Sequence, residues 1–116
     1  MEDEISRFRA AVTPAFLPLY TRLENLIYGL FPDARVTYSY KILMYHNQKR
    51  WTGLGLRKDG VSLYTNNPDF IAGFKSRHPH VKNGKACLNF RLTDEFSDED
   101  ILEVIHLAMD EKKQLP

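Results

Sequence analysis

The chain has 116 residues, 43% of them hydrophobic and 12% aromatic, which is enough apolar content for one domain with its own core. Its 16 basic and 15 acidic residues give a formal net charge of +1, which argues against a nucleic-acid-binding or polybasic membrane-surface protein. No apolar run is long enough to span a membrane, and a single cysteine excludes an internal disulfide and fits a reducing cytoplasm. We expect one cytoplasmic domain over residues 1–116 that binds neither nucleic acid nor membrane; the composition leaves its oligomeric state open.

The N-terminal part of the chain is predicted to be helical. Apolar residues at helical spacing indicate a short first helix over residues 3–12. Thr13–Pro14 is typical of the start of a second helix, which runs to about Phe31. Because Pro18 removes a backbone donor, we expect a kink or a later start near Leu17.

The segment from Asp33 to Thr65 holds three or four consecutive strand-like runs. Alternation over Val36–Tyr40 indicates one strand, and Ile42–His46 is a second strand or its bent continuation. Residues 47–49 are predicted to form a turn. The first strands therefore follow each other directly along the chain.

A tight hairpin is predicted around Asp59–Gly60, a dipeptide that tolerates the positive φ values of a two-residue turn. With these two residues in the loop, Leu56 pairs with Leu63 and Gly55 with Tyr64. Side chains alternate across a strand, so each face has its own composition. One face is predicted to carry Leu54, Leu56, Val61 and Leu63, and the other Trp51, Gly53, Gly55, Ser62 and Tyr64.

The remaining elements complete the predicted fold. Asn67 caps a third helix that ends at Pro79, residues 82–85 form a loop, and residues 86–92 form a last strand. Ser97–Asp100 resembles a capping box in front of a final helix. The order α-α-β-β-β-β-α-β-α predicts an α+β domain, with an antiparallel sheet of four to five strands and helices packed on one face.

The chain contains, in this order, the short motifs Pro32–Ala34, Ser39–Tyr40, Val61–Tyr64, Gly84–Lys85 and Leu88–Phe90. Together they resemble the YdhG-like family of domains of unknown function over nearly the whole chain. Some members are described as frataxin-like iron chaperones, so the resemblance implies an α+β binding domain with a weakly bound iron ion. The family's Ser-Tyr is normally followed by Gly-Met-Pro, whereas this chain has Lys41–Leu43 there, so a role tied to that turn does not transfer.

Acidic and imidazole side chains on the final helix are the candidate metal ligands. Their steps of four, three and four residues place them on one stripe, and carboxylate and imidazole groups suit iron. An ordinary solvated helix face explains the same pattern. The predicted metal ligands are Glu99, Glu103, His106 and Asp110.

Two other groups of residues are candidates for ligand or partner binding. Lys82 and Lys85, beside Gly84, are suited to a phosphate or carboxylate, although cations near a helix end also need no ligand. Trp51, Tyr64 and Tyr38 or Tyr40, around the two strand glycines, either form an aromatic docking surface or pack over the glycines to stabilise the strand.

Enzyme chemistry has little support in the sequence. Ser39, Ser62 and the histidines show no nucleophile–base arrangement, and the strand pattern around Cys87 is typical of an inert core thiol. The leading hypothesis is a non-catalytic binding domain that holds iron weakly and docks an acceptor protein. The alternative is a protein-interaction or small-ligand module that uses Trp51, Tyr40, Tyr64, Lys82 and Lys85 without a metal.

Overall fold

Four α-helices and six strands form in residues 2–112, the part of the chain that the computed structural model describes. The helices are α1 (Glu2–Ala10), α2 (Leu17–Leu30), α3 (Asp69–Arg77) and α4 (Asp98–Met109). The strands are β1 (Arg35–Ser39), β2 (Ile42–Asn47), β3 (Arg50–Arg57), β4 (Gly60–Tyr64), β5 (Lys82–Asn83) and β6 (Cys87–Arg91).

The helix starts follow the sequence closely. A 3₁₀ turn over Pro14–Phe16 precedes α2, so Pro18 lies in the first turn, where its missing N–H costs no intrahelical bond. Ser97 caps α4, because its hydroxyl accepts hydrogen bonds from the backbone N–H groups of the second and third helical residues. The cap predicted at Asn67 is shifted: Pro68 is the N-cap, and Asn67 Oδ1 accepts from the N–H of Asp69 at 2.9 Å.

The six strands form one antiparallel sheet in the order β1-β2-β3-β4-β6-β5. This confirms the predicted α+β class. The predicted number of four to five strands was one too low, because Lys82 and Asn83, expected in a loop, pair with Asn89 and Leu88. A two-residue strand has too short a pattern to be recognised from sequence.

The predicted register of the β3–β4 hairpin was wrong by two residues. The loop consists of Lys58 and Asp59, and Gly60 is already paired with Arg57. No glycine in the described chain has a positive φ. Gly60 is required instead by the neighbouring strand, because a Cβ there would lie 1.8 Å from the carbonyl oxygen of Phe90. A shift of two residues keeps every side chain on its predicted face.

The helices cover the face predicted to be apolar. Leu43, Leu54, Leu63 and Leu88 form a continuous row across β2, β3, β4 and β6, and all four are fully buried. They belong to one core with Leu23 and Ile27 of α2 and Ile101 and Ile105 of α4. Among residues 2–112, no helix is long and apolar enough to cross a membrane.

Candidate partner-binding face

The opposite face of the sheet has no helix packed on it within the described chain. Its apolar side chains are outside the core formed with the helices, and Trp51 and Tyr64 are only half-buried. We call this surface the open face. Its centre consists of Ile42, Met44, Trp51, Gly53, Gly55 and Tyr64, and its two edges carry Arg35 on β1 and Lys82 on β5.

The two glycines of β3 let the larger side chains lie down on the sheet. A Cβ at Gly55 would be 2.8 Å from the Tyr64 ring and 3.0 Å from Ile42, and a Cβ at Gly53 would be 2.8 Å from Ile42. Trp51 also extends toward Gly53, with a ring carbon 3.5 Å from the same position. Tyr64 therefore does pack over a strand glycine, and it is half-buried in that position. The two roles predicted for this tyrosine, partner docking and packing over the glycines, are both compatible with its position.

The open face also carries an ionisable side chain, His46, which was not among the site residues predicted from the sequence. It is paired with Trp51 on one side and Arg35 on the other. Its Nε2 lies 2.8 Å from Thr37 Oγ1. Burial lowers the pKa of His46 below its usual 6.5, and the positive charge of Arg35 lowers it further. The alternation of side chains along β2, together with its pairing to the strand of Trp51, could have predicted that His46 lies on this face.

Polar side chains lie beside the aromatic centre, on β4 and β6. Ser62 Oγ donates to Asn89 Oδ1 at 2.7 Å, and Cys87 Sγ lies 3.6 Å from the same oxygen. Cys87 is half-buried on the open face, so the expectation of a core thiol was wrong. Its neighbour Leu88 is the strand residue that points into the core.

Tyr40 lies at the tip of the β1–β2 hairpin, not beside Trp51. It is 89% exposed and, with Lys41, forms a two-residue loop between Ser39 and Ile42. Both loop residues have positive φ, 53° and 66°, which is the left-handed region that L-residues avoid. Tyr38, the other tyrosine considered for the aromatic surface, points to the covered face and contacts Phe8.

The side chains of the predicted metal stripe have other neighbours in the structure. Glu103 forms an ion pair with Arg77 of α3, and the His106 ring packs edge-on against Phe31, with 6.1 Å between ring centroids. In the described part of the chain, no three His, Cys, Asp or Glu side chains are grouped so as to hold a metal ion. Three of the predicted ligands, Glu99, Glu103 and His106, lie on α4, and the fourth, Asp110, is its C-cap with extended backbone.

The basic side chains between α3 and β6 differ in their contacts. His78 and His80 are engaged, with Asp100 Oδ2 at 2.7 Å and the Glu95 carbonyl oxygen at 2.6 Å respectively. Lys82 and Lys85 are exposed, and Lys82 pairs with Asn89, which places it at the edge of the open face.

A partly buried polar network on the covered side was also not predicted from the sequence. Glu24 Oε2 accepts hydrogen bonds from Tyr45 Oη at 2.5 Å, Tyr20 Oη at 3.0 Å and Arg9 Nη2 at 3.0 Å. Burial raises the pKa of both tyrosines, so they remain neutral donors. The network joins α1, α2 and β2 and lies behind the sheet, away from the open face.

No family model and no curated protein matches this sequence. The structure is similar to that of a solved protein of the DUF1801 family, YdhG, from Bacillus subtilis. The two structures superpose with a TM-score of 0.74 over 91% of this chain and 88% of that one, at 11% sequence identity. At that identity the likeness establishes a shared fold, in agreement with the resemblance predicted from the short motifs, and nothing about a ligand.

Proposed function

We propose that this protein is a non-catalytic binding domain whose open face docks a partner protein. The observation that supports this best is the half-buried aromatic centre on a sheet face that no described helix covers. Tryptophan and tyrosine are the commonest anchors of protein interfaces, since they bury a large area at a small cost in side-chain entropy. Met44 adds an adaptable apolar side chain next to them.

The shape of the centre favours a macromolecule over a small ligand. Small ligands bind in concave pockets that enclose most of their surface. Here the space above Gly53 and Gly55 is already occupied by Ile42, Trp51 and Tyr64. These side chains fill the space that the two glycines leave, and the hydrogen-bonded sheet beneath them can bind a partner without a large rearrangement of the backbone.

The iron hypothesis stays a prediction with weaker geometric support. Its central carboxylate, Glu103, is paired with Arg77, and a ligand that must first leave an ion pair binds metal less well. An anaerobic titration with Fe²⁺, followed by broadening of amide signals, tests it directly. Selective broadening on α4 that disappears in Glu103→Gln would support the iron hypothesis, and uniform or absent broadening would reject it.

The docking proposal is tested by peptide display. A library of random peptides about 12 residues long is selected on the wild-type protein, with counter-selection on the double variant Trp51→Ala, Tyr64→Ala. Removing two interface anchors is expected to weaken the selected peptides by ~30-fold or more, since one such anchor contributes about 2 kcal/mol. Amide shifts should map the bound peptides to β2, β3 and β4.

The control variant is Leu17→Ala, which removes a side chain that is 47% exposed on the helical side. It should leave peptide affinity unchanged. Thermal unfolding of each variant checks that the fold persists. Recovery of peptides that bind the helical side only, or of none that depend on Trp51 and Tyr64, would reject the proposal.

A further inference from the structure

We infer that the partner that docks on the open face presents an acidic segment, with apolar side chains between its carboxylates. This inference rests on the proposed function and adds the chemistry of the partner. The observation behind it is the distribution of charge over the fold. None of the 15 acidic residues lies in a strand, while the six strands hold Arg35, Arg50, Arg57, Lys82 and Arg91.

Two of these cations remain available to a partner. Arg50 belongs to the covered side, where it donates to the carbonyl oxygen of Leu107 at 3.0 Å. Arg57 and Arg91 face outward but are paired with Asp59 and Asp94. Arg35 and Lys82 have no carboxylate within ion-pair distance among residues 2–112, and they stand at opposite edges of the open face.

The positive charge reaches the aromatic centre. Arg35 is the directly paired neighbour of His46, which is in turn the neighbour of Trp51. The pKa of His46 is lowered partly by this guanidinium, which is the effect that a positive potential has on a neighbouring imidazole. The same potential favours a carboxylate beside Trp51.

The acidic residues are concentrated on the other side of the molecule. Three of them, Asp98, Glu99 and Asp100, lie in the first turn of α4, and Glu103 follows on the same helix. The net charge of +1 is therefore the sum of an acidic helical layer and a carboxylate-free sheet. This arrangement favours a short acidic segment over a long polyanion such as nucleic acid, which the helical layer would repel.

The distance between the two free cations sets the length of the segment. β1 and β5 are the first and last of six strands, so Arg35 and Lys82 are about 24 Å apart across the sheet, at ~4.8 Å per strand. Their rows meet β3 four residues apart, at Trp51 and Gly55, which adds about 13 Å along the strands and brings the separation to roughly 28 Å. An extended peptide covers this distance in about eight or nine residues. The segment thus needs carboxylates near both ends and aromatic or aliphatic side chains over Trp51 and Tyr64.

The peptides recovered by the display experiment provide the test. We expect them to carry a net negative charge and to bind about tenfold more weakly to the double variant Arg35→Glu, Lys82→Glu. Lys75→Glu, the same charge reversal on the exposed surface of α3, should change affinity less than twofold, by about the size of an exposed charge effect. Raising the salt concentration from about 50 to 300 mM should weaken binding to wild type more than to the double variant.

Failure of this inference is distinct from failure of the docking proposal. Neutral or basic peptides that depend on Trp51 but not on Arg35 and Lys82 would overturn the acidic partner and leave docking intact. A single-stranded 12-nucleotide DNA that binds the open face more tightly than any selected peptide would also overturn it. Dimerisation of the protein that is abolished by Glu99→Lys would assign the face to a second copy instead.

Discussion

At the scale of single residues, Glu24 carries a partly buried charge on the helix-covered side of the sheet. Its carboxylate is only 17% exposed and depends on donors from three elements. A charge in this position is stable only while those donors remain, because removal of one leaves part of its desolvation uncompensated. The glutamate and its tyrosines therefore act together.

Tyr45→Phe is expected to lower the free energy of unfolding by about 1–3 kcal/mol, because it removes the shortest hydrogen bond to that carboxylate. Urea denaturation measures the loss. Tyr28→Phe is the matched control, since the Tyr28 hydroxyl contacts Arg9 rather than the carboxylate, and its cost should be smaller. Equal losses in the two variants would show that the network contributes little.

Alkaline pH should destabilise the wild type through the same tyrosines. Their pKa values are raised by burial in the folded state, whereas in the unfolded chain tyrosine ionises near pH 10. As the pH rises above about 10, the unfolded state loses protons that the folded state keeps, so stability falls. Thermal unfolding between pH 8 and 11 should show a steeper decline for wild type than for Tyr45→Phe, and parallel curves would contradict this.

Because of His46, we expect the stability of the fold to fall at acidic pH as well. Because its folded pKa is lowered, the unfolded chain takes up the proton first as the pH falls through about 6.5, and stability is lost there. His46→Gln should flatten the stability profile between pH 5 and 7. Arg35→Gln should raise the pKa of His46 in an NMR titration, and an unchanged pKa would show that Arg35 does not act on this ring.

At the scale of elements, the β1–β2 hairpin carries local strain. Tyr40 and Lys41 both adopt positive φ, and this conformation costs about 1–2 kcal/mol for each residue that is not glycine. Replacing the pair by Asn-Gly should raise the free energy of unfolding by about 1–2 kcal/mol in urea denaturation. The same replacement at Lys58–Asp59, where neither φ is positive, should bring no gain. A gain at both turns would remove backbone strain as the explanation.

Most elements were predictable because their signals are local. Helix starts are determined within a few residues by Ser97 for α4 and by the proline for α2. Strand faces are determined in the same way by the alternation in β3 and β4. The hairpin register was not predictable in this way. It depends on the contact between Gly60 and Phe90, which are 30 residues apart in sequence.

At the scale of the whole molecule, the sequence indicated two sheet faces but not which one the helices cover. The apolar row of four leucines faces the helices, so Trp51 and Tyr64 lie on the open face. The two predicted alternatives for these residues, docking and packing over the glycines, are both compatible with that position. The separation of charge was invisible in the total of +1, since it requires each residue to be assigned to a strand or helix. Glu24 and His46 were missed because their partners come from other elements.

The close contact at Gly60 also bears on the order in which the sheet assembles. β1 to β4 are neighbours in sequence and space, joined by two-residue loops, and such local pairings form early. β5 and β6 follow α3 in the chain, so their pairing with the meander is less local. β6 fits against β4 because Gly60 has no side chain. Gly60→Ala should therefore act as a wedge: amide hydrogen exchange would accelerate in β5 and β6 while the four-strand meander stays protected.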